Sequence, residues 1–212
     1  MPLFLLNTTL FPGGILPLHV FEERYRMMIG ECLRQNAPFG VVMIRSGPEV
    51  GGTAEPHDIG TTARITHVQR LPDGRMNLLT VGVSRFRIME VLRQVPFYLA
   101  DVELLESTDN DIAIELAETV GNLFAEYYRL YLALSGQWAR RVATPQDPAA
   151  LSDFIASRLE IRPEQKQELL EKLSTRERLL IEVGFLEGAI RALKTQVAAL
   201  RNQKWHSAAA LN

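Results

Sequence analysis

Hydrophobic and polar residues alternate along the first half of the chain and then change period. In Phe97–Glu106, "FYLADVELLE", the residues Tyr98, Ala100, Val102 and Leu104 share one face while Asp101 and Glu103 face the other way. That period of two predicts a strand with one buried face. "SRFRIME" repeats it, with Phe86 and Ile88 between Arg85 and Arg87. "FGVVMIRS", Phe39–Ser46, is a continuous apolar run rich in β-branched residues, which suits a buried strand. "GTTARITHVQR" leads into "LPDGR", and "RMNLLTV" returns from it. Pro72 fixes φ, Asp73 bonds its own backbone and Gly74 accepts positive φ, so a hairpin is expected. Short alternating strands joined by tight turns imply an antiparallel sheet, curled or closed.

One helix interrupts this pattern. Tyr25, Met28, Ile29, Cys32 and Leu33 recur at helical spacing, and Met27 falls off that stripe. Beyond Ser107 the helical period takes over, with Ile112, Leu116, Val120, Leu123, Phe124, Tyr127, Tyr131 and Leu134 on one stripe until "SGQW" breaks it. Asp147-Pro148 is a cap followed by proline at the first helical position, ahead of Leu151, Phe154, Ile155 and Leu159. Pro163 opens a further short helix, and Ser174-Thr-Arg-Glu177 is a capping box. The last helix spaces Leu179, Val183, Leu186, Ile190, Leu193, Val197 and Leu200 alternately by four and three, a heptad seam. Two uses of that seam are open: packing on the chain's own bundle, or self-association through residues 179–200. The pattern therefore predicts an α+β chain, with a β-rich unit containing one helix over residues 1–107 and a helical bundle over residues 108–212.

Composition changes this picture little. Hydrophobic residues make up 47% of the 212 residues and charged residues 23%, as in ordinary globular proteins. The net charge of −2 gives no global attraction to nucleic acid or anionic membrane. The lone cysteine, Cys32, cannot close an internal disulfide, which suits a reducing, cytoplasmic setting. It lies on the apolar face of its helix and is expected to be buried and inert. The apolar N-terminus is cut by Pro12, Gly13, Gly14 and Pro17, which suits neither a signal peptide nor a membrane span.

Several motifs come close to chemistry and stop short. "HVFEE" resembles an inverted zinc-protease motif, but Glu23 stands where the second histidine belongs, and His57, His67 and His206 have no ligand spacing to His19. His19 is expected on a strand, with Glu22 and Glu23 at the start of the helix, where carboxylates suit the positive end of the dipole. In "GPEVGGT", Gly47 and Gly52 match the glycines of a P-loop, yet Thr53 replaces the lysine and Pro56 opposes the following helix. "TDND", Thr108–Asp111, lacks the downstream residues of a calcium loop. Arg85 and Arg87 flank Phe86, an interleaving able to stack bases, but there is no basic run around them. No catalytic, cofactor or metal set is expected.

Three blocks together, "LFPGGILPLHVFEERYRMMI", "IGTTARITHVQRLPDGRMNLLTVGVSRFRIMEV" and "FYLADVELLE", resemble the N-terminal substrate-binding domain of the ATP-dependent Lon protease family. "LSDFIASRLEIRPEQKQELLEKLSTRERL" resembles the helical bundle that follows it in that family. The resemblance runs from Leu3 to about Leu200 and implies a β-rich PUA-like pseudo-barrel followed by helices. It also implies a role in recognising unfolded or extended polypeptide, alone or beside a separate protease or chaperone. The motif residues that carry over are Pro17, Leu18, Phe21, Glu22, Arg24, Tyr25, Gly60, Arg85 and Phe86, taken as fold-defining. The family places proline after the glutamate, where Glu23 stands here. With neither the ATPase nor the Ser–Lys protease sequence in these residues, a non-catalytic polypeptide-binding module is expected. Met27 and Phe97, the latter opposite the inward face of its strand, are the candidate peptide contacts. A PUA-like module binding RNA is the alternative function.

Overall fold

The computed structural model describes residues 1–51, 54–109 and 114–209. Gly52, Thr53, Asp111 and Ile112, on which parts of the P-loop, calcium-loop and helix-stripe readings fall, lie outside the described residues, as does the side chain of His206. The chain divides into two compact units, Met1–Thr108 with Ala156–Leu173, and Asp109–Ile155 with Ser174–Asn212. The change of period near Ser107 thus coincides with a division of the fold. The expected assignment of everything after residue 107 to the bundle is corrected, because residues 156–173 belong with the strands.

The first unit contains strands β1 (Pro2–Leu6), β2 (Ile15–Val20), β3 (Phe39–Ser46), β4 (Glu55–Pro56), β5 (Ile59–Arg70), β6 (Met76–Arg93) and β7 (Tyr98–Leu105), with helices α1 (Glu23–Gln35) and α4 (Pro163–Glu171). The pairings β1–β7, β7–β6, β6–β5, β5–β3 and β3–β1 close a ring, antiparallel except for β1–β3. Closure leaves these strands without the long open edges of a flat sheet. β2 pairs antiparallel with β6, and the short β4 pairs antiparallel with β3. β1 and β3 bury both faces: Phe4, Phe39 and Val41 join one core with α1, while Leu3, Leu5, Val42 and Ile44 join the other with Phe86 and Tyr98. Hence both strands read as continuous apolar runs.

β5 and β6 are longer than the short strands expected. "MNLLTV" and "SRFRIME" belong to one 18-residue strand, not two. Its first half lies between β2 and β5, and its second half between β5 and β7. The change occurs around Gly82, whose N–H donates to the Gly14 carbonyl and whose carbonyl accepts from Gly13, both at 2.9 Å. A Cβ at Gly82 would run into the Phe11 carbonyl, so the crossing requires glycine. The β5–β6 hairpin turns as expected: Gly74 has φ +80°, and the Asp73 carboxylate accepts from the Arg75 N–H at 3.1 Å.

The second unit holds α2 (Ile114–Leu134), α3 (Pro148–Arg158) up to Ile155, and α5 (Thr175–Ala209). The Asp147 carboxylate accepts from the Ala150 N–H at 2.8 Å, and the Ser174 hydroxyl accepts from Glu177 N–H at 3.2 Å, so both N-terminal caps form. α5 packs along α2, and Leu179, Leu186, Ile190, Leu193 and Val197 are buried. These five seam positions are therefore used within the chain's own unit, while Val183 is half-buried and Leu200 is exposed. Sequence reading missed a buried polar group here, made of Ser152, Asp153, Thr175, Arg178 and Glu182. The Ser152 hydroxyl donates to Glu182 at 2.8 Å and accepts from Arg178 Nε at 3.0 Å.

Candidate polypeptide-binding surface

The segment Pro17–Tyr25 carries the chain from β2 into α1, and its motif residues tie that corner together. The Tyr25 ring stacks on Phe4 with centroids 3.8 Å apart, and its hydroxyl meets the Leu5 N–H at 3.3 Å. Burial pushes the Tyr25 phenol above its ordinary pKa. Arg24 lies over the Tyr25 ring at 4.5 Å, pairs with Glu22 at 3.0 Å and donates to the Glu49 carbonyl at 3.1 Å. Glu22 also accepts from the Gly51 N–H at 3.4 Å. The helix start therefore gains a carboxylate that secures the neighbouring loop, with no side-chain cap hydrogen bond. His19 is an exposed strand residue, its Nδ1 2.7 Å from Asn77 Oδ1.

The remaining motif residues support the ring. Phe86 is fully buried, and Gly60 opposite it in the β5–β6 register leaves space for the ring. A Cβ at Gly60 would stand 2.5 Å from the Val41 carbonyl and 2.9 Å from Phe86. Arg85 is buried on β6. Its Nε donates to the Leu170 carbonyl at 2.9 Å, which holds the C-terminal end of α4 to β6. Leu18 is buried, whereas Phe21 is 48% exposed beside His19, over a small crevice lined also by Pro17 and Val50.

The two candidate contacts separate. Met27 is exposed on α1 and borders a shallow depression of about 370 Å³ with Arg26, Arg70 and Leu71. Phe97 is corrected: it is only 3% exposed and lies in the core with Phe4 and Met28. It precedes the first residue of β7, so strand alternation does not govern its side chain; it turns inward beneath Arg93, 4.8 Å from the ring. Cys32 is buried as expected, and burial pushes its thiol up to about 11.

A larger groove of about 550 Å³ opens between the C-terminal end of α1 and the strands β5, β6 and β7. Leu33, Pro38, Ile65, Val83, Val102 and Leu104 make it apolar, and Arg64 stands on its wall. Val83 is 50% exposed and Leu104 is 63% exposed. Alternation along β7 correctly groups Leu104 with Tyr98 and Ala100, but the core ends before Leu104, so that face emerges into solvent. Val83 is exposed because it follows the crossing at Gly82. Neither signal is local: both depend on where other strands stop. Among the described residues, no group of three or more His, Cys, Asp or Glu is placed to hold a metal, and no helix is long and apolar enough to cross a membrane.

The family model described as the ATP-dependent protease La (LON) substrate-binding domain matches residues 1–188. The Lon protease of Anaeromyxobacter dehalogenans (strain 2CP-C) is 30% identical over 192 residues, which are 89% of this chain and 23% of that protein. Lon protease 2 of Myxococcus xanthus is 29% identical, again over 89% of this chain and 23% of the relative. The chain thus spans about a quarter of the length of these curated relatives. A solved Lon N-terminal domain protein from Xanthomonas campestris has a TM-score of 0.64 at 25% identity, covering 87% of this chain and 96% of that one. The N-terminal domain of the Mycobacterium avium complex Lon protease has a TM-score of 0.68 at 19% identity, a likeness of fold, covering 88% and 97%.

Proposed function

The chain belongs to the LON substrate-binding domain family, and on that premise we propose that it binds polypeptide substrates in the apolar groove bounded by Leu33, Ile65, Val83, Val102 and Leu104. The observation that carries this reading is the exposure of Val83 and Leu104 on the lining of one apolar groove of about 550 Å³. A concave apolar lining of that size suits several side chains of an unfolded segment. Along the groove β7 is paired with β6 from Arg85 onward, and the Ser84 N–H is held by the Thr62 hydroxyl, so affinity there comes from side-chain burial rather than from strand addition. The free edge of β2 is a poor alternative, since Pro17 removes a donor from it. The chain's own role is recognition; unfolding and cleavage of what it binds fall to other domains or proteins.

The test is binding of a reduced and alkylated, permanently unfolded polypeptide to the full chain, measured by fluorescence anisotropy. Val83→Glu and Leu104→Glu each weaken binding at least tenfold, while thermal midpoints stay within a few degrees because both side chains are exposed. Met27→Glu, on the separate depression, is the control. If binding survives both groove variants and falls with Met27→Glu, the site is on the outer face of α1 and the groove assignment is wrong.

A further inference from the structure

We propose that Arg64 makes the groove selective for apolar segments that carry an internal aspartate or glutamate. The inference rests on the polypeptide-binding reading above. Arg64 is the one charged side chain among the groove's lining residues, and it is exposed. Among the described residues it has no hydrogen-bond or ion-pair partner, whereas Arg24, Arg45, Arg75 and Arg87 each hold a carboxylate. No carboxylate among the described residues pairs with it, although Glu31 of α1 lies near Cys32 on the same lining, and the Met1 ammonium, also on the lining, donates to the Ala100 carbonyl. β5 carries Arg64, His67 and Arg70 and no acidic residue, and the first carboxylate of β6 is Glu90. Glu103 on β7 is taken by Arg87 at 3.4 Å.

A free guanidinium beside an apolar surface is complementary to a carboxylate with apolar neighbours. The planar fork donates to both carboxylate oxygens, and partial exclusion of water strengthens the pair. An internal side chain fits better than a chain end. Terminal carboxylates are captured by convergent backbone N–H groups, but here the lining strands place Thr62, Arg64, Val102 and Leu104 opposite ladder partners.

The probes are fluorescein-labelled nonapeptides of Leu, Val and Phe, acetylated and amidated, with Asp, Asn or Lys at the centre, tested on the full chain at low salt. Wild type binds the Asp peptide about three- to fivefold more tightly than the Asn peptide, the size expected of a partly exposed charge pair. Arg64→Gln abolishes that preference, and Arg64→Glu transfers it to the Lys peptide. Equal binding of the Asp and Asn peptides, or a preference that survives Arg64→Gln, overturns the proposal. An Asn peptide with a free C-terminus that matches the Asp peptide overturns the choice of an internal side chain. Displacement of the Asp peptide by an equal concentration of oligouridine assigns Arg64 to nucleic acid instead. Leu104→Glu separates the two levels. If it leaves every peptide bound, the groove itself is misassigned; if it abolishes binding while wild type shows no Asp preference, only the carboxylate assignment fails.

Discussion

The strand-rich unit and the helical unit bury different chemistry. Around α1 and the strand ring, the core is mainly aromatic and aliphatic, Arg85 is buried and donates to the Leu170 carbonyl, and Glu22 and Arg24 pair at the margin. In the helical unit, Arg178 and Glu182 are fully buried together with Ser152 and Thr175. The ring needs no such device. Strand register, Gly60 against Phe86 and the crossing at Gly82 already admit a single arrangement. Two helices with apolar stripes can slide by a turn at little cost, because leucines replace leucines along the seam. A buried Arg–Ser–Glu group forbids the slide, since any other register strands a charge away from water.

The largest effect follows from breaking that group. Arg178→Met leaves Glu182 buried without its cation and should cost about 3–5 kcal/mol in chemical denaturation. Replacing both, Arg178→Met with Glu182→Leu, should recover most of the loss. If the double variant is as unstable as the single one, the charges contribute stability themselves rather than specifying register. Among ring positions, Gly60→Ala should cost about 1–3 kcal/mol, because its Cβ meets the fixed Val41 carbonyl. Adding Phe86→Leu relieves the ring contact but not the carbonyl contact, so a thermodynamic cycle should show partial coupling. Full recovery would place the strain on the ring alone. Tyr25→Phe, which keeps the stack on Phe4 and removes the hydroxyl from Leu5, should cost about 1 kcal/mol. A neutral outcome would show that the stack alone holds the corner.

The same contrast explains what was legible from the sequence. Elements set by local chemistry stood out: the Pro72-Asp73-Gly74 turn, the Asp147 cap, the α1 stripe and the strand Phe39–Ser46 all occur where expected. Features set by distant partners did not. "RMNLLTV" and "SRFRIME" look like two strands because Gly82 and Ser84 interrupt the pattern, yet the chain continues straight through while its neighbours change. Arg178 and Glu182 read as surface residues because only the packing of α3 and α5 encloses them. α4 reads as part of a bundle because it is a helix, but Gln167 donates to the Ile59 carbonyl at 2.9 Å and Arg85 grips its end, so its partners are strands. Of the motif residues, Tyr25, Gly60 and Phe86 are buried in the strand-rich unit. The groove was not legible, since Leu104 is distinguished from Tyr98 only by where the core stops.

The smallest effect concerns Cys32, and it tests how tightly α1 is seated. Its thiol is raised from an ordinary value of 9.0 to about 11, chiefly by burial and then by Glu31 nearby. The folded chain therefore holds this proton more strongly than the unfolded chain. The associated stability is complete below pH 9.0, declines as pH rises and is lost by about pH 11. Cys32→Ala should flatten part of the fall in denaturation midpoint across that window. Tyr25→Phe should remove a separate part that begins nearer pH 10.0, since burial raises that phenol as well. In the native protein, alkylation of Cys32 by iodoacetamide at pH 8 should be slow and should proceed at the rate of local opening, because a buried, protonated thiol is a poor nucleophile. Prompt alkylation at pH 8, with no loss of helix signal, would mean that α1 leaves the strand core far more readily than its packing implies. The Leu33 side of the groove would then be formed only part of the time, and groove variants would change binding by less than the strand residues alone suggest.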